Sequence, residues 1–328
     1  MSFTGKVKQE LSRQIPAARH CRAAELASLL FFCGRVERAE NGERFLVIQS
    51  EKEVVCETAG QLMTRLFHLT EGELIREDHA AKKTARHILR VPGGIRTDEI
   101  LRATGLAPAE ADPSPEADVA SERRGLVYEG SAVPEKSCCR KAALQGAFLA
   151  AGTMSDPERS YHFEIVCNAE ETAAATAQLI CSLGARASFT RRGRSWPVYV
   201  KEGGRIADVL SLMGAHVSMM DFENARILRE VRGGINRKVN CETANIRKTA
   251  DAAAQQIHAI RLLEKEGMLT ELPGALDETA RLRLQYPTAT LEELGQLHDP
   301  PVGKSGVNHR LRRLSALADA LRGTREED

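Results

Sequence analysis

The sequence predicts an α+β chain in which one mixed helix–strand unit occurs twice and an all-helical unit follows. Three observations carry this. Helical and strand patterns alternate in the same order on either side of a proline-rich break. Short segments match between the two stretches: DEILRATGL (Asp98 to Leu106) aligns with ADVLSLMGA (Ala207 to Ala215), and LASLLFFCG (Leu26 to Gly34) with LQGAFLAAG (Leu144 to Gly152). From Gly274 onward only helical periodicity remains.

The first helix is expected over Arg19 to Gly34. Strands follow at Arg35 to Ala39 and Arg44 to Gln49, around the turn Asn41-Gly42. Val55, Leu62, Leu66 and Leu69 mark a helix over Val54 to His68. Strands at Glu73 to Glu77 and Arg86 to Val91 lead through Pro92-Gly93-Gly94 to a helix, Thr97 to Thr104, stopped by Gly105. Ala107 to Glu122, with Pro108, Pro113 and Pro115 among small and acidic residues, reads as a flexible linker or insertion. The second unit opens with a helix over Cys139 to Ala151. A strand at Tyr161 to Cys167, a helix at Ala169 to Leu183, strands at Ala187 to Arg191 and Pro197 to Lys201, and a helix from Arg205 to Met213 stopped by Gly214 complete it. Asp221 to Asn240 reads as a basic linker and Cys241 to Glu266 as a long helix. The organisation expected is therefore 1–106, N-terminal arm and first repeat; 107–137, linker; 138–220, second repeat; 221–273, basic linker and long helix; 274–328, terminal helical domain.

Composition narrows the function. A chain of 328 residues suggests two or three domains, and 46 Lys+Arg against 45 Asp+Glu excludes a globally basic coat protein. The apolar run Leu26 to Cys33 is far shorter than the ~20 residues a bilayer requires, and no apolar stretch follows the charged N-terminus. A cytoplasmic protein with no membrane partner is expected. The 8 cysteines form no C-x-x-C pair and no zinc-finger spacing, so reduced structural thiols and no metal are expected, with Cys138-Cys139 the one doublet open to a redox role. There is no Walker A loop, G-x-S-x-G or H-E-x-x-H, hence no expected cofactor, no small-molecule substrate and no enzyme activity.

Small residues on the two opening helices allow close backbone approach. LASLLFFCG and LQGAFLAAG resemble the LAGLIDADG helices of homing endonucleases, which implies two αββαββα halves forming a saddle over DNA. In that family each helix carries a metal-binding acid at the penultimate motif position. Here those positions are Cys33 and Ala151, which supply no hard oxygen ligand for two-metal hydrolysis. Over most of the chain, SFTGKVKQEL, KAALQGAFLAAGTMSDPERSYHFEIV, NRKVNCETANIRK and GKSGVNHRLRRL are similar to the WhiA family. That resemblance implies a degenerate LAGLIDADG-like domain joined to a helix-turn-helix. It also implies roles in sporulation as a transcription factor, or in cell division and chromosome segregation.

The terminal domain reads as helices over Asp277 to Tyr286, Leu291 to Leu297 and Lys304 to Leu321. Thr290 and Glu293 have capping-box spacing, and Val307, Leu311, Leu314, Ala318 and Leu321 form an apolar stripe. The opposite face carries Ser305, Asn308, His309 and Arg312, flanked by Lys304, Arg310 and Arg313. Asn pairs with adenine and Arg with guanine in the major groove, so double-stranded DNA is the expected partner. The expected contact set is Thr290, Glu293, Lys304, Ser305, Asn308, His309, Arg312 and Arg313. Secondary contacts are expected at Arg191, Arg192 and Arg194 of the second hairpin and at Asn236, Arg237 and Lys238. The hairpin reads equally as a solvated strand face or, through Trp196, as a protein contact. RNA polymerase or another regulator is a further candidate partner. Two other readings stay open: a metal-dependent endonuclease using displaced acids, and a division-machinery interaction protein with incidental DNA affinity.

Overall fold

The computed structural model describes residues 1–38, 42–80, 85–91, 93–109 and 124–326. The chain divides into two compact units, Met1–Arg229 and Glu230–Asp328.

The first unit opens with α1 (Phe3–Ser12) and then runs through α2 (Arg19–Cys33), β1 (Gly34–Arg38), β2 (Arg44–Ser50), α3 (Glu53–Phe67), β3 (Ile75–Ala80), β4 (Ala85–Val91) and α4 (Gly94–Thr104). Two further strands follow, β5 (Leu106–Pro108) and β6 (Arg124–Tyr128). The second repeat is α5 (Ser137–Ala151), β7 (Gly152–Met154), β8 (Phe163–Cys167), α6 (Glu170–Cys181), β9 (Ser188–Phe189), β10 (Trp196–Val200) and α7 (Gly203–Met213). Both repeats are thus αββαββα. Their sheets share one strand order: β3-β4-β2-β1 in the first repeat corresponds to β9-β10-β8-β7 in the second, antiparallel throughout. Gly105 and Gly214 end α4 and α7 in left-handed geometry, φ 66° and 90°, which glycine adopts without a Cβ clash. The duplication is therefore visible in topology as well as in local sequence.

Four expectations are corrected here. Pro108 and its neighbours do not all belong to a linker: β5 pairs with β6, and β6 extends the first sheet beside β1. The rest of the expected linker, residues 110–123, lies outside the described residues, as does Asn41 of the expected turn. The short strand β7 was not expected, because Gly152 follows α5 without a turn residue to announce it. β3 starts at Ile75 rather than Glu73, because Glu71–Glu73 forms a 3-10 turn. The N-terminal arm is not confined to the first repeat: α1 packs on α3 of the first repeat and also on α5 and β7 of the second. Val7 and Leu11 enter the core of the second, Thr4 Oγ1 donates to the Met154 carbonyl at 2.9 Å, and Glu10 accepts from the Val217 and Ser218 amides at 2.8 Å each.

Each repeat has its own core. Leu26, Leu30, Leu46, Ile48, Leu62, Met63 and Leu89 centre the first; Phe148, Phe163, Ile165, Val198, Ile206 and Leu210 centre the second. The cores are largely aliphatic, as the low aromatic content requires.

The expected linker over Asp221 to Asn240 is also absent. A single 50-residue helix, α8 (His216–Lys265), runs through it, and the division between the units falls within this helix. Gly233-Gly234 costs about 1 kcal/mol per glycine in helix propensity, too little to break a helix whose surroundings are Arg, Glu, Ile and Leu.

In the second unit α9 (Gly274–Gln285), α10 (Leu291–Gln296) and α11 (Lys304–Glu326) pack with the end of α8. Ile260 and Leu263 share a core with Leu276, Ala280, Leu294, Val307, Leu311, Leu314 and Ala318, so this domain begins well before Gly274. Thr290 caps α10 with a complete capping box. No helix among the described residues is long and apolar enough to cross a membrane.

Candidate nucleic-acid interface

The two halves of the first unit meet along α2 and α5, where Gly146 leaves no room for a side chain against the α2 backbone. Cys33 and Ala151 are the last residues of these helices. The Cys33 thiol donates to the Leu29 carbonyl at 3.0 Å, and Ala151 offers only a methyl. Lys8 of α1, which the expected site set omitted, is buried here. Its ammonium lies over the Phe148 ring at 5.9 Å. Burial, and then the charge of Lys52, lowers its pKa to about 8. A thiol, a methyl and an ammonium make a poor cradle for a hard divalent cation. Only the amphipathic pattern of the N-terminal helix could have signalled Lys8, and a lone lysine beside Val7 is a weak signal.

The sheets carry mostly internally paired charge. In the first repeat Glu37 receives Arg35 at 2.7 Å and Arg90 at 3.2 Å, and Arg90 also reaches Glu77 at 3.1 Å. In the second, Arg192 is held on Glu164 by two hydrogen bonds of 3.1 and 3.2 Å, and Glu164 also lies 3.0 Å from His162. The expected basic hairpin is thus partly neutralised by a carboxylate on the adjacent strand. Arg191 sits over the Trp196 ring at 6.0 Å, and Arg194 is exposed. Asn236, Arg237 and Lys238 are exposed along α8.

In the second unit the expected contact residues of α11 lie off its buried stripe. Val307, Leu311, Leu314 and Ala318 turn α11 inward and are buried. Ser305, His309 and Arg312, with Lys304 and Arg313 beside them, are exposed, and Asn308 is half-buried. Lys304 and Ser305 open the helix, where unpaired amides and the helix dipole favour a phosphate. Arg310 is tied down: its guanidinium donates to the Ala275 carbonyl at 3.4 Å and to Thr279 Oγ1 at 3.5 Å, pinning α11 to α9.

Thr290 and Glu293 have another task. The Thr290 amide donates to Glu293 Oε2 at 2.7 Å, and the Glu293 amide donates to Thr290 Oγ1 at 3.2 Å. Hydrogen bonding from the Thr290 amide, and then from the Thr290 hydroxyl, holds the Glu293 carboxyl below its ordinary pKa. Both side chains therefore position α10, and the Glu293 charge disfavours a phosphate beside it. The turn into α11 is closely packed. The Val302 amide donates to the Gly295 carbonyl at 2.8 Å, and the buried His298 bridges the Leu294 carbonyl and Thr279 Oγ1 at 2.8 and 2.9 Å.

A groove of about 460 Å³ lies beside this face. Lys304 and Asn308 line it together with Thr290, Gln256, the buried Arg283, and Lys248 of α8, which the expected set lacked. It brings two ammonium groups and several amide and hydroxyl groups to one side of the helix-turn-helix.

Comparison with known proteins follows the same division. Residues 19–107 match the model of the WhiA N-terminal LAGLIDADG-like domain, residues 140–232 that of the WhiA LAGLIDADG-like domain, and residues 235–318 that of the WhiA C-terminal HTH domain. The probable cell division protein WhiA of Lachnoclostridium phytofermentans is 42% identical over 322 residues, covering 98% of this chain and 100% of that one. The protein of the same name from Heliobacterium modesticaldum is 38% identical, covering 98% and 97%. The crystal structure of the full-length WhiA from Thermatoga maritima shares the fold, with a TM-score of 0.56 at 22% identity over 98% of this chain and 99% of that one.

Proposed function

This chain belongs to the WhiA family, and from that premise we propose that it is a sequence-specific DNA-binding regulator that reads the major groove with the N-terminal half of α11. The observation that carries this reading is the outward polar face of Ser305, His309 and Arg312, with Asn308 half-buried at its edge. It lies at helical spacing opposite the buried stripe and is flanked by Lys304 and Arg313. Asn308 and Arg312 supply base readout, while Lys304, Ser305 and Arg313 supply phosphate contacts. Thr290 and Glu293 hold the preceding helix in place. Arg194 and the exposed residues Asn236, Arg237 and Lys238 add sequence-independent attraction. The LAGLIDADG-like domain binds without cutting, because Cys33, Ala151 and Lys8 replace the carboxylate chemistry that cleavage requires. By the names of its relatives the regulated process is cell division, and promoter control within it extends to chromosome segregation and, in spore formers, sporulation. RNA polymerase or another regulator is the protein partner this role calls for, at the nucleoid in the cytoplasm.

Selection of bound duplexes from a random pool by the purified full-length chain tests this. Wild type should enrich a defined motif, and Asn308→Ala/Arg312→Ala should not. Equal enrichment of the same motif by both would overturn the assignment of α11. The bound duplex should remain intact with Mg²⁺ or Mn²⁺. Metal-dependent cleavage that persists through repurification, and is lost on substitution at the seam, would restore the nuclease reading.

A further inference from the structure

His20, Cys21, Cys138 and Cys139 come together at the start of the seam, with Nδ1, Nε2 or Sγ atoms all within 4.8 Å of one another. His20 Nδ1 lies 3.1 Å from Cys139 Sγ and 3.3 Å from Cys21 Sγ. The arrangement repeats the internal duplication. α2 and α5 are each 15 residues long, His20 and Cys21 are the second and third residues of α2, and Cys138 and Cys139 are the second and third residues of α5. The outer pair, His20 and Cys138, is exposed, and the inner pair, Cys21 and Cys139, is buried among Ala18, Ala24 and Ala142.

We propose that this cluster is a four-coordinate zinc site of the Cys₃His class that clamps the two repeats together, each contributing two ligands. Three thiolates and one imidazole are the donor set of closed structural zinc sites. With zinc–sulfur bonds of ~2.3 Å, tetrahedral geometry sets the sulfurs about 3.8 Å apart, within the spacing found here. Soft sulfur and nitrogen donors disfavour Mg²⁺ and Ca²⁺, which separates this site from the lost nuclease centre at the other end of the same helices. The first turn of each helix stabilises the thiolates through its dipole and free amides. The exposed pair provides the route of entry, and binding releases the thiol protons to solvent. Linear spacing hides the site, since its ligands are two adjacent pairs far apart in the sequence.

The test uses the full-length chain without a histidine tag, purified under reducing conditions. Elemental analysis should find about one zinc per chain. Exchange with Co²⁺ should give the visible bands and the near-ultraviolet thiolate band of a tetrahedral sulfur-rich site. Cys138→Ser, at an exposed position, should lose the stoichiometric zinc and the cobalt spectrum while keeping the far-ultraviolet circular dichroism of wild type. Cys181→Ser, at an exposed position outside the cluster, should keep both. A strong zinc chelator should lower the melting temperature of wild type and leave that of Cys138→Ser unchanged. Zinc no higher in wild type than in Cys138→Ser, or a Cys21–Cys139 disulfide found by mass spectrometry in the reduced preparation, would overturn the proposal.

Discussion

A β-carbon built on Gly146 of α5 would stand 2.3 Å from the carbonyl oxygen of Glu25 on α2, and 3.2 Å from the Leu29 nitrogen. The two opening helices therefore touch backbone to backbone, and the obstacle is main chain that no rotamer change can move. Gly146→Ala should destabilise the first unit by about 1–3 kcal/mol, the usual range for overpacking a closed contact. Gly204, a helical glycine of α7 whose added β-carbon meets nothing within 4 Å, is the control. Gly204→Ala should be neutral or stabilise by up to about 1 kcal/mol. Urea unfolding of both variants checks the pair, and equal effects would show that the seam is looser than described.

The same contact buries the side chain of Glu25. Neither carboxylate oxygen has a hydrogen-bond partner among the described residues, and burial raises its pKa to about 8. An unfolded Glu titrates near ~4.3. Between these values the folded chain holds the extra proton, so this group makes stability fall as pH rises from about 4.3 to about 8 and then level off. Glu25→Gln should remove that slope and stabilise most at pH values above the window, by on the order of a few kcal/mol. Lys8 acts with the opposite sign in the next window. Its lowered pKa of about 8 makes stability rise with pH from about 8 toward the ordinary lysine value of about 10.4. Lys8→Met should abolish this second slope. Thermal melts across pH 4 to 10, as a nominal range of about six units, distinguish the two groups.

How much could be read in advance depended on punctuation. α9 to α11 were legible because Pro287, the Thr290/Glu293 pair and Pro300 mark their ends, and because the stripe from Val307 to Ala318 has one clear period. The repeat was legible through its glycine-stopped helices. What failed was long-range or unpunctuated. β5 and β6 are partners across residues 110–123, and nothing local tells Leu106–Pro108 that it has a partner. α8 continues through Gly233-Gly234 where composition suggested a linker. Lys8 and the pairs His20-Cys21 and Cys138-Cys139 acquire their neighbours only when α1, α2 and α5 pack. Thr290 and Glu293 were expected both as a cap and as DNA contacts; the capping box is present, and it occupies both side chains.

That capping sets an expectation for the second unit. Thr290→Ala removes the acceptor for the Glu293 amide and should cost about 1 kcal/mol of helix-turn-helix stability. Glu293→Gln keeps an acceptor for the Thr290 amide and should fold as wild type, whereas Glu293→Ala should not. DNA affinity should follow stability in this series. A Glu293→Gln variant that binds DNA as weakly as Glu293→Ala would show that the carboxylate does more than cap. Hydrogen exchange at the α10 amides reports the cap directly.

The two arginines that follow Leu311 should behave differently on DNA. Arg312 shares the face of Asn308, four residues away, while Arg313 lies beside it, and both are exposed. Arg312→Ala, placed for base readout, should cost about 1–3 kcal/mol on the selected motif and relax preference at one base position. Arg313→Ala, placed for the backbone, should weaken all duplexes alike and reduce the slope of log affinity against log salt by about 1. Arg310→Ala makes the necessary contrast. It loses the bonds to Ala275 and Thr279, so its deficit should appear in the melting temperature of the second unit before it appears in sequence preference. Anisotropy titrations at several salt concentrations, on the selected duplex and a scrambled one, separate the three. If Arg312→Ala and Arg313→Ala gave the same salt slope and the same specificity ratio, α11 would be lying across the phosphates, and sequence reading would have to move to the groove formed with Lys248 and Gln256.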